Sequence, residues 1–300
     1  MKPIIFGFKG YKLTEDEKAF FLAHQPAGFI IFKRNIESKE QLRSLCSELR
    51  SLFSDREIMI LIDQEGGRVQ RLTDPHTKKY PAPSYFRDLV EIEGRDAALK
   101  ACYDSNFEMA TELKEMGINV NCTPVADLSF DGASDVIGDR SFGSTPQIVI
   151  EFCKQVITAH LAAGVRPIIK HMPGHGRARQ DSHLELPTVE ASLAELEESD
   201  FAIFRELSRS CDFAMTAHII YQSIDDSAPA TISSKVIQYC REVIGFKGDI
   251  ITDCLTMEAL SGSYGKRAAQ AIDAGCTYLL HCSGDMEQME EIVKEIENLQ

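Results

Sequence analysis

Eight short apolar runs, each followed by a stretch of helical periodicity, constrain this chain more than any other feature. The runs are Ile4–Phe8, Gly28–Phe32, Ile58–Ile62, Ile118–Cys122, Val165–Ile169, Asp212–Thr216, Asp249–Thr252 and Thr277–His281. Strands that are apolar throughout belong to parallel sheets covered on both faces. The intervening stretches carry helix signals. Ser38 with Gln41 forms a capping-box pattern ahead of Leu42, Leu45, Leu49 and Leu52. Thr145-Pro146 opens a helix with Val149, Phe152 and Val156 on one face, closed by Gly164. Asp285 precedes a last stripe of Met286, Met289, Val293 and Ile296, which reads as core. Eight βα units without a long linker predict an α/β fold, a closed (β/α)8 TIM barrel, as a single domain over residues 1–300. An open doubly wound sheet is the alternative. With one helix after the eighth strand, no second domain is expected.

With 44% hydrophobic residues there is ample material for one large core. Lys plus Arg number 32 against 46 Asp plus Glu, a net charge of -14 that argues against nucleic acid and anionic membrane as partners. No apolar run approaches the ~18 residues needed to cross a membrane. Met1-Lys2-Pro3 leads straight into a strand-like segment with no signal-peptide pattern, so a cytoplasmic protein is expected. Nine cysteines lie scattered without paired spacing and without a CxxC, which fits a reducing compartment and indicates neither a zinc ribbon nor a redox pair.

In a barrel, active residues sit at the C-terminal ends of strands. Asp63, Asp127, Lys170-His171, His218, Asp253 and His281 fall there. The densest cluster is Lys170 to Pro187, KHMPGHGRARQDSHLELP, a loop of turn residues holding His171, His175, His183 and Asp181. Each histidine alone could be structural; together, after a buried strand, they read as a site. His175, between two glycines, reads as fixing the loop. Asp63 to Arg71 (DQEGGRVQR) reads either as a tight turn with solvated charges or as a sugar clamp. In the clamp, a carboxylate accepts from vicinal hydroxyls and Arg71 donates from a fixed fork. Glu65 and Arg68 read as shaping that loop. Asp253 ends an apolar strand, where a carboxylate is costly unless solvated, paired or functional.

The spacing KH-x-PGHG-x(4)-DSH-x(3)-P closely resembles the signature loop of glycoside hydrolase family 3, in its single-domain β-N-acetylglucosaminidase branch. The likeness extends to LIDQEGGRVQRL, IGDRSFG and GFKGDIITDCLTMEAL, and so across nearly the whole chain. It implies a retaining exo-β-N-acetylglucosaminidase that removes terminal GlcNAc from anhydromuropeptides in cell-wall recycling, by double displacement and without cofactor or metal. By the same resemblance Asp253 is the nucleophile and His183 the acid/base, partnered by Asp181. Asp63 and Arg71 hold the non-reducing end, Arg140 contacts the substrate, and Lys170 and His171 bind sugar hydroxyls. A monomer is expected. Asp139 reads as a local turn carboxylate.

The sequence departs from the family pattern at Met172, where an aromatic is usual, and at Arg177, where an acid is frequent. Cys254 stands where a second Asp often follows the nucleophile. With no Trp, sugar stacking falls to Phe or Tyr or is absent. The basic residues Arg71, Arg140, Lys170, Arg177 and Arg179 predict a locally positive mouth on an acidic protein. Other readings are a metal-dependent barrel hydrolase using His171, His175, His183 and Asp253 as ligands, and a non-catalytic sugar-binding barrel.

Overall fold

A computed structural model describes residues 1–180, 182 and 185–299. Its centre is a closed barrel of eight parallel strands, each hydrogen-bonded to its neighbours in sequence order. The strands are β1 (Lys2–Phe6), β2 (Pro26–Ile31), β3 (Met59–Ile62), β4 (Val120–Asn121), β5 (Arg166–Met172), β6 (Phe213–Thr216), β7 (Asp249–Cys254) and β8 (Tyr278–His281). The eighth pairs with the first, Ile4 opposite Leu279 and Phe6 opposite His281, which closes the eight-stranded sheet on itself. The doubly wound alternative is thereby excluded.

The continuous apolar runs resolve into two cores because side chains alternate across a strand. Ile5, Ile30, Met59, Leu61, Val120, Ile168, Met215, Ile251 and Leu280 point inward and fill the barrel. Ile4, Phe6, Ile31, Ile60, Ile62 and Ile169 point outward into the layer shared with the helices. A strand in this position has no solvent face, so the polar side chains it does carry, such as Asn121, Thr252 and Lys170, are hydrogen-bonded or ion-paired.

The outer ring comprises α1 (Glu15–His24), α2 (Lys39–Ser51), α3 (Pro83–Glu93), α4 (Arg95–Glu115), α5 (Pro146–Ala162), α6 (Leu193–Glu198), α7 (Asp200–Leu207), α8 (Ser234–Glu242), α9 (Tyr264–Ala274) and α10 (Met286–Asn298). Ser38 caps α2 by accepting from the Gln41 amide at 3.0 Å. The reciprocal half of the expected capping box is displaced by one residue: Gln41 Oε1 accepts from the Glu37 amide at 2.9 Å. Thr145 stands at the N-cap of α5 with Pro146 at the first turn, but its hydroxyl makes no capping bond. Asp285 caps α10, which buries Met289, Val293 and Ile296. No helix among the described residues is long and apolar enough to cross a membrane.

Candidate active site

The C-terminal ends of the strands open into a cavity of about 540 Å³, within the ~300–1,000 Å³ range of small-molecule sites. Asp63 and Glu65 reach it from the end of β3, Lys170 and His171 from β5, and Asp253 and Cys254 from β7. Phe32 follows β2 and Cys282 follows β8 on the same rim.

Five side chains form a line of alternating charge. Arg71 Nη2 donates to Asp63 Oδ2 at 3.0 Å, and Lys170 Nζ donates to Asp63 Oδ1 at 2.9 Å. The same ammonium lies 2.6 Å from Glu65 Oε1. Arg140 closes the line with a bidentate fork, Nε and Nη2 each 2.8 Å from a Glu65 oxygen. Burial by itself would raise the Asp63 carboxyl, but Lys170 and Arg71 outweigh it and hold it well below the usual carboxylate range. Glu65 is likewise favoured against its burial, by Arg140 and Lys170, and sits at about 2. Lys170 is raised above its ordinary value because Asp63 and Glu65 more than offset its desolvation. Asp63 and Glu65 are therefore ionised and Lys170 protonated at neutral pH, and the cavity floor is a fixed array of dipoles and charges.

Asp253 is oriented by two backbone bonds. The Cys254 amide donates to its Oδ1 at 2.7 Å, and its own amide donates to Thr216 Oγ1 at 3.2 Å. Burial opposes its ionisation, yet His218 and His171 beside it hold the carboxyl below its ordinary value. His218 itself is fixed between Thr231 Oγ1 at 2.7 Å and the Cys254 carbonyl at 3.0 Å. The carboxylate is thus anionic, aimed by the backbone and open to the cavity.

The loop after β5 hangs on Asp127. Its carboxylate accepts from the His171 ring at 2.7 Å and from the His175 amide at 2.6 Å. His175 Nε2 lies 3.0 Å from Ser182 Oγ, so His175 fixes the loop as the sequence predicts. Two glycines let the chain pass close to the barrel. A side chain at Gly176 would collide with the Leu128 carbonyl, and Gly174, at φ +144°, packs against Asp200. Arg177 ties the loop to α7, with Nε 2.7 Å from Asp200 Oδ2 and its guanidinium 4.4 Å over the Phe130 ring.

These contacts change the expected electrostatics. Arg71, Arg140, Lys170 and Arg177 all line or flank the site, but each is matched to a carboxylate. At these four positions the charge is balanced, where counting basic residues predicts a positive patch; Arg179, the fifth residue of that count, adjoins residues outside the described ones. Arg140 lines the cavity with its fork already spent on Glu65. Arg68 is drawn to Asp139 at 2.8 Å and to the backbone of residues 135–137, shaping the loop. Phe32 is the one Phe, Tyr or Trp lining the cavity among the described residues, and the Arg34 and Arg71 guanidinium groups stack on its ring.

The structure therefore brings together Asp63, Arg71, Arg140, Lys170, His171 and Asp253. Asp181 and His183 lie outside the described residues; Ser182 between them lines the cavity. The sequence reading gave no role to Asp127 and understated Glu65, since a carboxylate's partners on other strands leave no local mark. It also missed the soft wall of Met215, Cys254, Thr256, Met257 and Cys282. No group of three or more His, Cys, Asp or Glu among the described residues is arranged to hold a metal ion.

Residues 5–300 match the sequence model of the Glycosyl hydrolase family 3 N terminal domain. A β-hexosaminidase of Neisseria meningitidis serogroup B is 38% identical over 284 residues, spanning 94% of this chain and 78% of the relative. The fold superposes on the NagZ of Neisseria gonorrhoeae, solved with N-trifluoroacetyl-D-glucosamine, with a TM-score of 0.89 and 36% identity, covering 99% of this chain and 84% of that one. A family 3 β-N-acetylglucosaminidase from Paenibacillus sp. str. FPU-7 matches with a TM-score of 0.90 and 30% identity; this chain is covered over 99% and spans 56% of that protein.

Proposed function

The chain belongs to glycosyl hydrolase family 3, and from that premise we propose that it is a retaining exo-β-N-acetylglucosaminidase removing terminal non-reducing GlcNAc. The observation that carries this reading is Asp253, an ionised and backbone-aimed carboxylate facing the Asp63–Arg71–Lys170 cluster across one small-molecule cavity. Asp63, Arg71, Lys170 and His171 hold the hydroxyls of the terminal sugar, with Arg140 and Glu65 keeping Lys170 in place. Asp253 attacks the anomeric carbon as His183, partnered by Asp181, protonates the leaving oxygen. The same histidine, now neutral, takes a proton from water as the glycosyl–Asp253 bond breaks. Two inversions give net retention, with histidine in the role a second carboxyl plays in most such enzymes.

The substrate we assign is a GlcNAc-anhydromuropeptide, handled by a monomeric enzyme in the cytoplasm during peptidoglycan recycling. Nine unpaired cysteines support a reducing compartment. A mechanism-based 2-acetamido-2-deoxy-5-fluoro glycoside followed by peptide mapping is the test. Label on Asp253 and a β-configured first product are expected. Label on another residue, or an α product, overturns the double displacement. Turnover of chitobiose but not of GlcNAc-anhydromuropeptide would overturn the assigned substrate.

A further inference from the structure

Ser182 is 2% exposed, although it stands between two ionisable residues at the edge of the cavity. Its Oγ lies 3.0 Å from His175 Nε2. His175 is held in turn through its amide, which donates to Asp127 Oδ1 at 2.6 Å. Asp127 belongs to the barrel wall. Val125 bridges to Lys170 of β5, the Ala126 amide donates to the Lys170 carbonyl at 2.6 Å, and the Ser141 hydroxyl donates to the Asp127 carbonyl at 2.7 Å. A chain of bonds between buried side chains therefore runs from the barrel to Ser182.

Polar groups in a buried loop need partners whatever the loop does. This chain does more than satisfy them. The first half of the loop is already tied down: Tyr221 Oη donates to the Gly174 carbonyl at 2.7 Å, the Ser134 amide donates to the Ala178 carbonyl at 2.9 Å, and Arg177 is paired with Asp200. Those contacts stop at Ala178. The bond from His175 carries the hold four residues further, to the serine flanked by Asp181 and His183. Burial, with His171 beside it, depresses His175 to about 4, so an uncharged ring meets the Ser182 hydroxyl at neutral pH.

We infer that Asp127, His175 and Ser182 are positioning residues, a buried relay that seats the Asp181–Ser182–His183 segment against the substrate cavity for proton transfer. The inference rests on the glycosidase reading above. Without the Ser182 hydroxyl, the seated loop buries an imidazole nitrogen that has lost its partner, which lowers the seated fraction by about tenfold. Proton transfer slows with that fraction. Asp253 is carried by β7 and aimed by the Cys254 amide, so the attacking carboxylate stays where it is. A glycoside whose leaving group departs without a proton therefore senses the relay little in its first step. One with an alkoxide leaving group senses it in full.

The test compares kcat/KM for a dinitrophenyl and an alkyl N-acetylglucosaminide in the wild type, Ser182→Ala, His175→Phe and the double variant. Each single variant is expected to lose about tenfold more on the alkyl substrate than on the dinitrophenyl one. The double variant is expected to lose no more than either, because both changes remove one bond. Hydrogen exchange over residues 173–187 is expected to quicken in both single variants, with the barrel strands unaltered. The two variants act on opposite ends of the bond, so a folding defect in one leaves the other to decide. Equal losses on both substrates, additive losses in the double variant, or unchanged exchange overturns the relay. A wild-type protein that hydrolyses neither glycoside overturns the glycosidase reading, and the exchange rates still decide whether His175 and Ser182 seat the loop.

Discussion

The Lys170 ammonium donates to Asp63 Oδ1 across 2.9 Å, so two groups expected to grip the sugar grip each other first. Lys170 is 2% exposed and serves Glu65 as well. Removing it leaves two carboxylates facing each other with no cation between them. Lys170→Met is expected to cost about 3–5 kcal/mol, the usual penalty for breaking a buried ion pair from one side. Thermal denaturation should show the melting temperature falling by roughly 5–15 °C. An unchanged melting temperature would mean that Asp63 and Glu65 find solvent in place of the lysine.

The same pairing decides how binding responds to salt. Among the described residues, Arg68, Arg71, Arg140 and Lys170 line the cavity with four positive charges against four negative ones on Asp63, Glu65, Asp135 and Asp253. A neutral cavity exerts little long-range pull on an anionic muropeptide, and exposed charges are in any case screened beyond ~10 Å at 0.1 M salt. KM for such a substrate is expected to change less than about twofold across that range of ionic strength. A steep rise of KM with salt, measured by initial rates, would restore the positive mouth that the sequence alone predicts.

Much of this architecture is visible in the order of residues, and for a definite reason. All eight strands are fully enclosed, so each writes itself as an apolar run, and Asp63, Lys170 and Asp253 stand out as charges that end such runs. The loop from Lys170 announces itself through its turn residues. What stays hidden is whatever depends on a partner far along the chain. Arg140 looks like a free donor until Glu65, 75 residues away, takes its fork. Arg177 looks like part of a basic mouth until α7 brings Asp200 against it. Cys254 and Cys282 line one cavity without a spacing motif, because the helix between β7 and β8 separates them along the chain. The Gln41 side chain reaching Glu37 shows the same limit over a shorter distance.

Stability is expected to fall steeply with acid, with the sign set by three buried histidines. Burial depresses His160 and His281 to about 4, and burial with His171 nearby does the same to His175. Their unfolded counterparts take up protons near 6.5. Between pH 6.5 and 4 the unfolded chain therefore binds more protons than the folded one, and stability rises with pH across that window. The slope approaches ~4 kcal/mol per pH unit if all three contribute fully. Glu65, depressed from 4.5 to about 2, adds a loss of the same sign as pH falls through that lower range. Asp200, raised by burial, acts oppositely. Denaturant titrations at pH 7, 6 and 5 check this; a midpoint independent of pH contradicts the burial of these rings.

A histidine acid/base, as proposed for His183, would leave a signature that a carboxylate would not. In the proposed double displacement the sugar is bound to Asp253 after the first step, and the base must then accept a proton from the incoming nucleophile. A glutamate there would be anionic and would repel an anionic acceptor by ~4 kcal/mol at 4 Å and an effective dielectric near 20. A neutral imidazole at His183 would remove that repulsion. Phosphate is therefore expected to compete with water and to yield N-acetylglucosamine 1-phosphate from the wild-type enzyme. His183→Ala is expected to slow substrates with poor leaving groups by about 10²–10⁴-fold, since these require protonation. Activated aryl glycosides should be nearly spared in the first step. Asp181→Ala should act in the same direction but less, by lowering the imidazolium fraction and loosening its aim. The decisive measurement is the dependence of kcat/KM on leaving-group acidity in the wild type and in His183→Ala. If the variant slows activated and unactivated substrates equally, and no sugar phosphate forms at high phosphate, His183 is not the acid/base.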